Sequence, residues 1–460
     1  IKSIQSTFLQ DLTINSQSIW DMPTFLWIPE PNTIYEEISA LPKGNYLKFS
    51  GDDSLIKPIN CNFVRDDITE ELAKNPIKIT REIVEEAIVS RLLSDVPIGC
   101  FLSGGLDSTI VSIIASERVE KLSTFNIAFE NITDPYHGMA DESEDAESTA
   151  KKINSQHHKI FVNEDIFYES LQEFSYYGDQ PFAVSSGMGI YIISKEAKKN
   201  GVKVLLSGDG ADECFGGYSW YPFISKICGE SHTTSKTDQA YSLQNSLDSK
   251  KYLIDKIKNL TTAEKAYSLH YYAHELEKSK IFSKDFQGQA KLSSLRYFES
   301  ISEKVPKNFI DHDRNFYFPN EMLCKMDRMT MANSVEGRAP FASVNILELS
   351  KKISLKNMIN NNKLKWILRE AFKDLLPKEV YVRKKHGFNI PIDHWIKGKW
   401  NDLVLHTFSS ESQLYKRNLI HGGSMDYVKK MINDEKRLNG HTLFSYIMLN
   451  LWLENNGTYS

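Results

Sequence analysis

An apolar run, Ile98-Gly99-Cys100-Phe101-Leu102, leads without a spacer into Ser103-Gly104-Gly105-Leu106-Asp107-Ser108. A helical pattern, Thr109 to Ala115, begins at once. Strand, double-glycine turn and helix start in immediate succession are the corner of a parallel α/β sheet. The same corner is an anion cradle. Its glycines admit a close approach of the backbone, the first helical N–H groups point at a ligand, and the helix dipole favours negative charge. Ser103 and Ser108 add hydroxyl donors, and Asp107 offers a carboxylate where a phosphate-bound Mg²⁺ needs a ligand. No Gly-Lys-Ser/Thr follows, so this is not a Walker loop. Taken alone, the hexapeptide also fits an ordinary glycine-rich βα turn.

The neighbouring segments repeat the alternation. Apolar spacing predicts a helix over Thr80 to Leu93 with Thr80 as its cap, and strands at Thr124–Phe129, His158–Val162 and Val202–Leu206. Helices are expected at Glu142–Ile153 and Met188–Lys199. Such a chain makes a parallel sheet with helices on both faces, and ligands then sit at the carboxyl ends of the strands. One such end carries Ser207-Gly208-Asp209-Gly210-Ala211-Asp212-Glu213, a second glycine turn with three carboxylates. A solvated acidic turn would look the same, but at the ligand-binding end of such a sheet these carboxylates also suit Mg²⁺ binding. Beyond residue 260 the pattern is mainly helical. Residues 1 to about 65 differ: Phe25–Pro29, Thr33–Tyr35 and Leu41–Phe49 read as short strand and turn pieces, too few to fold alone. The polar tract Ser231 to Lys250 reads as a mobile surface insertion.

Composition removes several function classes. The chain has 460 residues, with 55 Lys+Arg against 60 Asp+Glu and a net charge of −5. That leaves no broad basic field for nucleic acid. No apolar stretch approaches the roughly 20 residues that span a bilayer, and no signal segment opens the chain, so no membrane partner is expected. Five scattered cysteines (Cys61, Cys100, Cys214, Cys228, Cys324) without CxxC spacing read as reduced thiols of a cytoplasmic protein.

Four blocks now stand in order: Ser103 to Ser108, Leu206 to Tyr218 (LSGDGADECFGGY), Lys325 to Phe341 (KMDRMTMANSVEGRAPF) and Arg383 to Pro391 (RKKHGFNIP). The first resembles the pyrophosphate loop of ATP pyrophosphatases. Together they resemble the synthetase domain of glutamine-dependent asparagine synthetases, over residues 67 to about 455. Residues 24 to 49 are similar to the end of that family's N-terminal glutaminase domain. The resemblance implies two parts: residues 1–66, a remnant of the Ntn-type glutaminase domain with its linker, and residues 67–460, an α/β ATP-pyrophosphatase (PP-loop) core with additional C-terminal helices. It implies ATP and Mg²⁺, a small-molecule carboxylate and ammonia or glutamine as partners, and it allows a homodimer.

By the same resemblance, Ser103, Gly104, Gly105, Leu106, Asp107, Ser108, Ser207 and Gly208 would hold ATP and pyrophosphate, with Leu102 and Ile127 flanking the adenine. Asp107 and Asp212 would hold Mg²⁺. Asp209, Asp212 and Lys385 would be catalytic, Lys385 offsetting charge on the reacting phosphates. Asp141, Asp179, Glu213 and Arg338 are candidates on the substrate side, and Arg338 equally fits a buried ion pair in a helical region. The expected reaction adenylates a carboxylate, aspartate by default, and passes ammonia to it. None of the five cysteines can serve as an N-terminal nucleophile, so this chain is expected to use ammonia and not glutamine. Asp209 stands where asparagine synthetases carry Glu, Gln180 replaces a carboxylate, and Ala342-Ser343 replaces Leu-Asp. These departures leave open another carboxylate, such as a sugar acid, ring closure of the β-lactam synthetase type, or a silent binding protein on this fold.

Overall fold

The computed structural model describes residues 1–8, 12–51, 53–59, 64–129, 142–218, 220–221, 264, 271–301, 306–361, 363–383, 390–433 and 438–456. The tract Ser231 to Lys250 lies outside the described residues. Strands β1 (Asn45–Ser50) and β2 (Asp53–Pro58) pair antiparallel as a separate hairpin. The five that follow are β3 (Ile98–Phe101), β4 (Ser123–Phe129), β5 (Gln156–Val162), β6 (Val204–Leu206) and β7 (Glu336–Arg338). They form one sheet in the order β5-β4-β3-β6-β7, every pair parallel.

That order positions the site. From β3 the chain steps outward to β4 and β5, then returns to the other side of β3 as β6 and β7. The strand order reverses between β3 and β6, and in open parallel sheets the crevice outside the carboxyl ends at such a point is where ligands bind. Both glycine turns leave from these two strands. β7 belongs to the third sequence block and adds a strand where a helical region was expected. Its Arg338 pairs in register with Leu206.

The expected helices and strands of residues 98 to 206 are present, with shifted ends. The helix expected from Thr80 begins a turn earlier, as Pro76–Ser90. Asn75 caps it by accepting from the Lys78 N–H at 3.2 Å, and Pro76 takes the first helical position. Thr80 donates its hydroxyl to the Pro76 carbonyl at 2.7 Å.

The N-terminal segment departs further from expectation. No strand forms at Phe25–Pro29; Phe25 closes a helix, Ser16–Phe25, and Tyr35 makes an isolated bridge with Ile14. Residues Ser18 through Phe25 are all buried. The Phe25 ring lies 4.9 Å from that of Tyr271 and 5.4 Å from that of Phe316. Asp21, fully buried, accepts from the Ser294 hydroxyl at 2.6 Å and from Arg296 Nη1 at 3.0 Å. Thr24 donates to the Ala273 carbonyl at 2.8 Å. This helix is therefore packed into the same core as the chain from Tyr271 to Phe298.

Lys278 closes that contact. Its buried ammonium lies 2.8 Å from Glu275 Oε1 and 2.7 Å from Ser294 Oγ, and 4.5 Å above the Trp20 ring. Burial lowers its pKa from 10.5 to about 8, against the pull of Glu275 in the other direction. The folded state releases this proton before the unfolded chain does, so stability rises with pH between about 8 and 10.5. Lys278→Met should remove that rise. In paired thermal melts, the melting temperature of the variant minus that of the wild type should fall as pH increases through the window.

Cys100 and Cys214 are buried packing residues, and burial pushes both thiols up to about 12. Among the described residues no helix is long and apolar enough to cross a membrane.

Candidate active site

The turn after β3 delivers Gly105 in extended conformation as the N-cap of the helix Leu106–Ser116. Gly104 is in the left-handed region at φ +76, and a Cβ there would lie 2.7 Å from Asp145 Cβ and 2.8 Å from the Ala146 nitrogen. Glycine is thus required twice over, by conformation and by the helix Ser143–Lys152 lying against the loop. Ser103 and Ser108 hold the turn closed: their hydroxyls lie 3.0 Å apart, and Ser108 Oγ accepts from the Ser103 N–H at 3.2 Å.

The turn after β6 meets the first one. A Cβ on Gly208 would lie 2.8 Å from Asp107 Cβ and 2.9 Å from the Ser108 nitrogen, so the two loops are in backbone contact. Ser207 is buried beneath them, its hydroxyl 3.2 Å from Asp209 Oδ2 and 3.0 Å from the Met326 sulfur. Gly210, at φ +100, starts the short helix Ala211–Phe215 that carries Asp212 and Glu213.

What joins the loops electrostatically is a residue the sequence reading missed. Lys365 is 3% exposed, and its ammonium contacts Asp107 Oδ2 and lies 2.7 Å from Asp212 Oδ1. It has a left-handed backbone, φ +54, at the N-terminus of the helix Trp366–Ala371. A buried cation, a left-handed lysine and a positive charge at a helix N-terminus are each unfavourable. The two carboxylates are what hold it there. Gly217 makes room: a Cβ on it would fall 2.0 Å from both Asp212 Oδ1 and Lys365 Cε. A lysine opening the run Trp366-Ile367-Leu368-Arg369 was the available signal, since cations belong at the other end of a helix.

The donor set fits Mg²⁺. Asp107 Oδ1 is buried with no hydrogen-bond partner among the described residues, a hard oxygen suited to a divalent cation. No group of three or more His, Cys, Asp or Glu residues able to hold a metal forms among the described residues. Glu213 is not part of the set. It is fully buried and accepts from the Tyr218 hydroxyl at 2.6 Å; burial, then the Asp212 carboxylate, push it up to about 8.

Residues 80–454 match the family described as asparagine synthase. The chain belongs to the asparagine synthase family. That membership makes the matched region an asparagine synthase-like carbon–nitrogen ligase domain. Among curated relatives, asparagine synthetase (glutamine-hydrolysing) 1 of Bacillus subtilis is 26% identical, over 96% of this chain and 69% of its own length. A putative asparagine synthetase of Mycobacterium tuberculosis is 26% identical over 84% of this chain and 60% of its own. The amidase chry2 of Gibberella zeae is 24% identical over 81% and 61%. The chain thus spans about six- to seven-tenths of the length of these relatives.

The other residues assigned from the asparagine synthase pattern fall in several places. Leu102 is buried against Ala146 and Ala150, and Ile127 lies in the buried run of β4. Both make core contacts beside the cradle. Asp179, at φ +65, takes the Ile1 amino group at 2.7 Å and the Lys2 N–H at 3.0 Å. Beside it, Arg328 donates to the Gly178 carbonyl at 2.7 Å. Gln180 is buried and accepts from the Ile34 N–H at 3.1 Å, a structural use for the residue that replaces a carboxylate. Asp141 and Lys385 lie outside the described residues. The chain just before Lys385 is anchored at the cradle. Arg383 donates to the Gly104 carbonyl at 2.9 Å and pairs with Asp145, and Arg369 donates to the carbonyls of Leu364, Val380, Tyr381 and Arg383.

Arg338 is not brought to the loops' carboxylates. Its guanidinium donates to the Arg91 carbonyl at 2.7 Å and the Leu93 carbonyl at 2.8 Å, and pairs with Glu336 at 2.8 Å. It ties β7 to the carboxyl end of the helix Pro76–Ser90. Arg338→Ala should cost about 1–2 kcal/mol in urea unfolding and leave catalytic turnover within about threefold, since no transition-state contact is lost.

Proposed function

We propose that the chain is an ATP-dependent amide-forming ligase on a PP-loop ATP-pyrophosphatase fold, preceded in residues 1–66 by the end of a glutaminase-type domain. The observation that carries this reading is the meeting of two glycine turns at the β3/β6 reversal, with Asp107 and Asp212 on a common lysine. The Ser103–Ser108 turn and the start of the helix Leu106–Ser116 would cradle the pyrophosphate end of ATP, with Ser207 and Gly208 on the α-phosphate side. Leu102 and Ile127 would flank the adenine. Asp107 and Asp212 would hold Mg²⁺, whose charge would stabilise the phosphates as pyrophosphate departs.

A carboxylate oxygen of the substrate attacks the α-phosphorus, and the bond to the bridging oxygen breaks to release pyrophosphate. Ammonia then attacks the acyl carbon, loses a proton and displaces AMP. Lys365 and Lys385 would offset negative charge on the reacting phosphates, and Asp209 would orient the amine. Asp141, Asp179 and Glu213 remain substrate-side candidates. The enzyme would be cytoplasmic and use ammonia directly as this chain, glutamine being the source in a protein with an active glutaminase domain; a homodimer is compatible with the reading.

Aspartate is the default acid. Asp209, Ala342-Ser343 and the relative named as an amidase favour a second reading, the same adenylation on a different carboxylate. ATP–pyrophosphate exchange by the 460-residue chain, screened over aspartate, sugar acids and other carboxylates, tests both. One acid should support exchange, and ammonium should then give its amide. Exchange that stays flat across the panel while ATP binds would identify a silent binding protein.

A further inference from the structure

We propose that Lys365 acts as a resident cation at the metal locus, so that the protein does not take up the divalent ion alone but acquires it together with the nucleotide. The inference rests on the reading that Asp107 and Asp212 hold the metal. The Lys365 ammonium contacts one oxygen of each carboxylate, is 3% exposed, and is packed against Gly217, where a Cβ would fall 2.0 Å from its Cε. It is held in place at the cost of a left-handed backbone at φ +54. Two carboxylates and one ammonium carry one net negative charge. A bare divalent ion entering this partly buried group would leave excess positive charge and face the ammonium directly. A triphosphate arriving with the ion supplies the negative charge that both cations need. The second oxygen of Asp107, buried without a hydrogen-bond partner among the described residues, gives the ion a place to enter beside the lysine.

Mn²⁺ is the probe, titrated into the 460-residue chain without nucleotide and followed by the electron paramagnetic resonance signal of the free ion. The wild type should bind it weakly. Lys365→Met and Lys365→Gln, which remove the charge, should bind at least about tenfold more tightly. Adding Asp107→Asn to Lys365→Met should abolish the gain, and Lys356→Met, at an exposed position, should match the wild type. Tight Mn²⁺ binding by the wild type alone, or no gain in either Lys365 variant, would overturn the proposal. If the variants unfold from repulsion between the carboxylates, millimolar Mn²⁺ should restore their folded circular dichroism; failure to do so would also overturn it. The readout needs no turnover. A gain in Mn²⁺ affinity with no acid supporting exchange would refute the ligase reading and leave this one standing, and exchange without the gain would do the reverse.

Discussion

Asp107→Asn is expected to lower ATP–pyrophosphate exchange by at least about a hundredfold, the usual loss when one preorganised electrostatic contact to a reacting phosphate is removed. The substitution keeps the shape of the side chain and one oxygen for the Lys365 ammonium, and it removes the charge. Asp212 still faces Lys365 at 2.7 Å, so the buried lysine keeps a counter-ion. Unfolding free energy should therefore drop by only about 1–3 kcal/mol, the cost of weakening one charged hydrogen bond. Exchange rate and urea unfolding measured on the same preparation separate the two effects. Near-wild-type exchange by a folded variant would remove Asp107 from the site.

The contrast between Asp107 and Lys365 shows what a sequence can disclose about such a site. Asp107 was legible because its context is local: an apolar strand, two glycines and a helix start lie within a dozen residues and constrain one another. The Ser207 to Glu213 turn was legible for the same reason. Lys365 depends on partners 258 and 153 positions away in sequence, and its local conformation is one that lysine disfavours. Only the meeting of the two loops makes that conformation stable. Arg338, which the sequence left open between substrate contact and an ion pair, is the opposite case. It sits inside a specific motif, yet its guanidinium is spent on the carbonyls of Arg91 and Leu93.

The N-terminal helix Ser16–Phe25 went unread for a third reason. Ser16–Phe25 is buried on every side from Ser18 onward, so it has no polar face, and Pro23 lies inside it. A helix without an amphipathic stripe and with an internal proline gives a pattern that cannot be told from strand and turn pieces. Its stability comes from tertiary partners, Asp21 with Arg296 and Phe25 with Tyr271, which no local window contains.

Gly208→Ala tests whether the two turns must touch for the chemistry to work. The new Cβ would lie 2.8 Å from Asp107 Cβ, 2.9 Å from the Ser108 nitrogen and 3.0 Å from the Asp107 carbonyl carbon. Two of these are backbone atoms in the first turn of the helix Leu106–Ser116, which is held by β3 behind it, so neither can swing aside as a side-chain tip could. The strain should cost about 1–3 kcal/mol of stability, as overpacking generally does. The larger effect is on geometry. Relief of the contact moves the β6 turn away from the β3 turn, and with it Asp212 away from Asp107. A displacement of roughly 1 Å in a site that works by positioning costs about a hundredfold in rate. Exchange activity should therefore fall by about that factor in a protein that still folds. Gly288→Ala, where nothing lies within 4 Å of the added carbon, should leave activity unchanged. It should stabilise the helix Lys284–Gln289 that contains it by about 0.5–1 kcal/mol through the lower entropy of the unfolded chain. Full activity in Gly208→Ala would mean that the two turns act independently, and the lysine between their carboxylates would then be a packing feature of the fold.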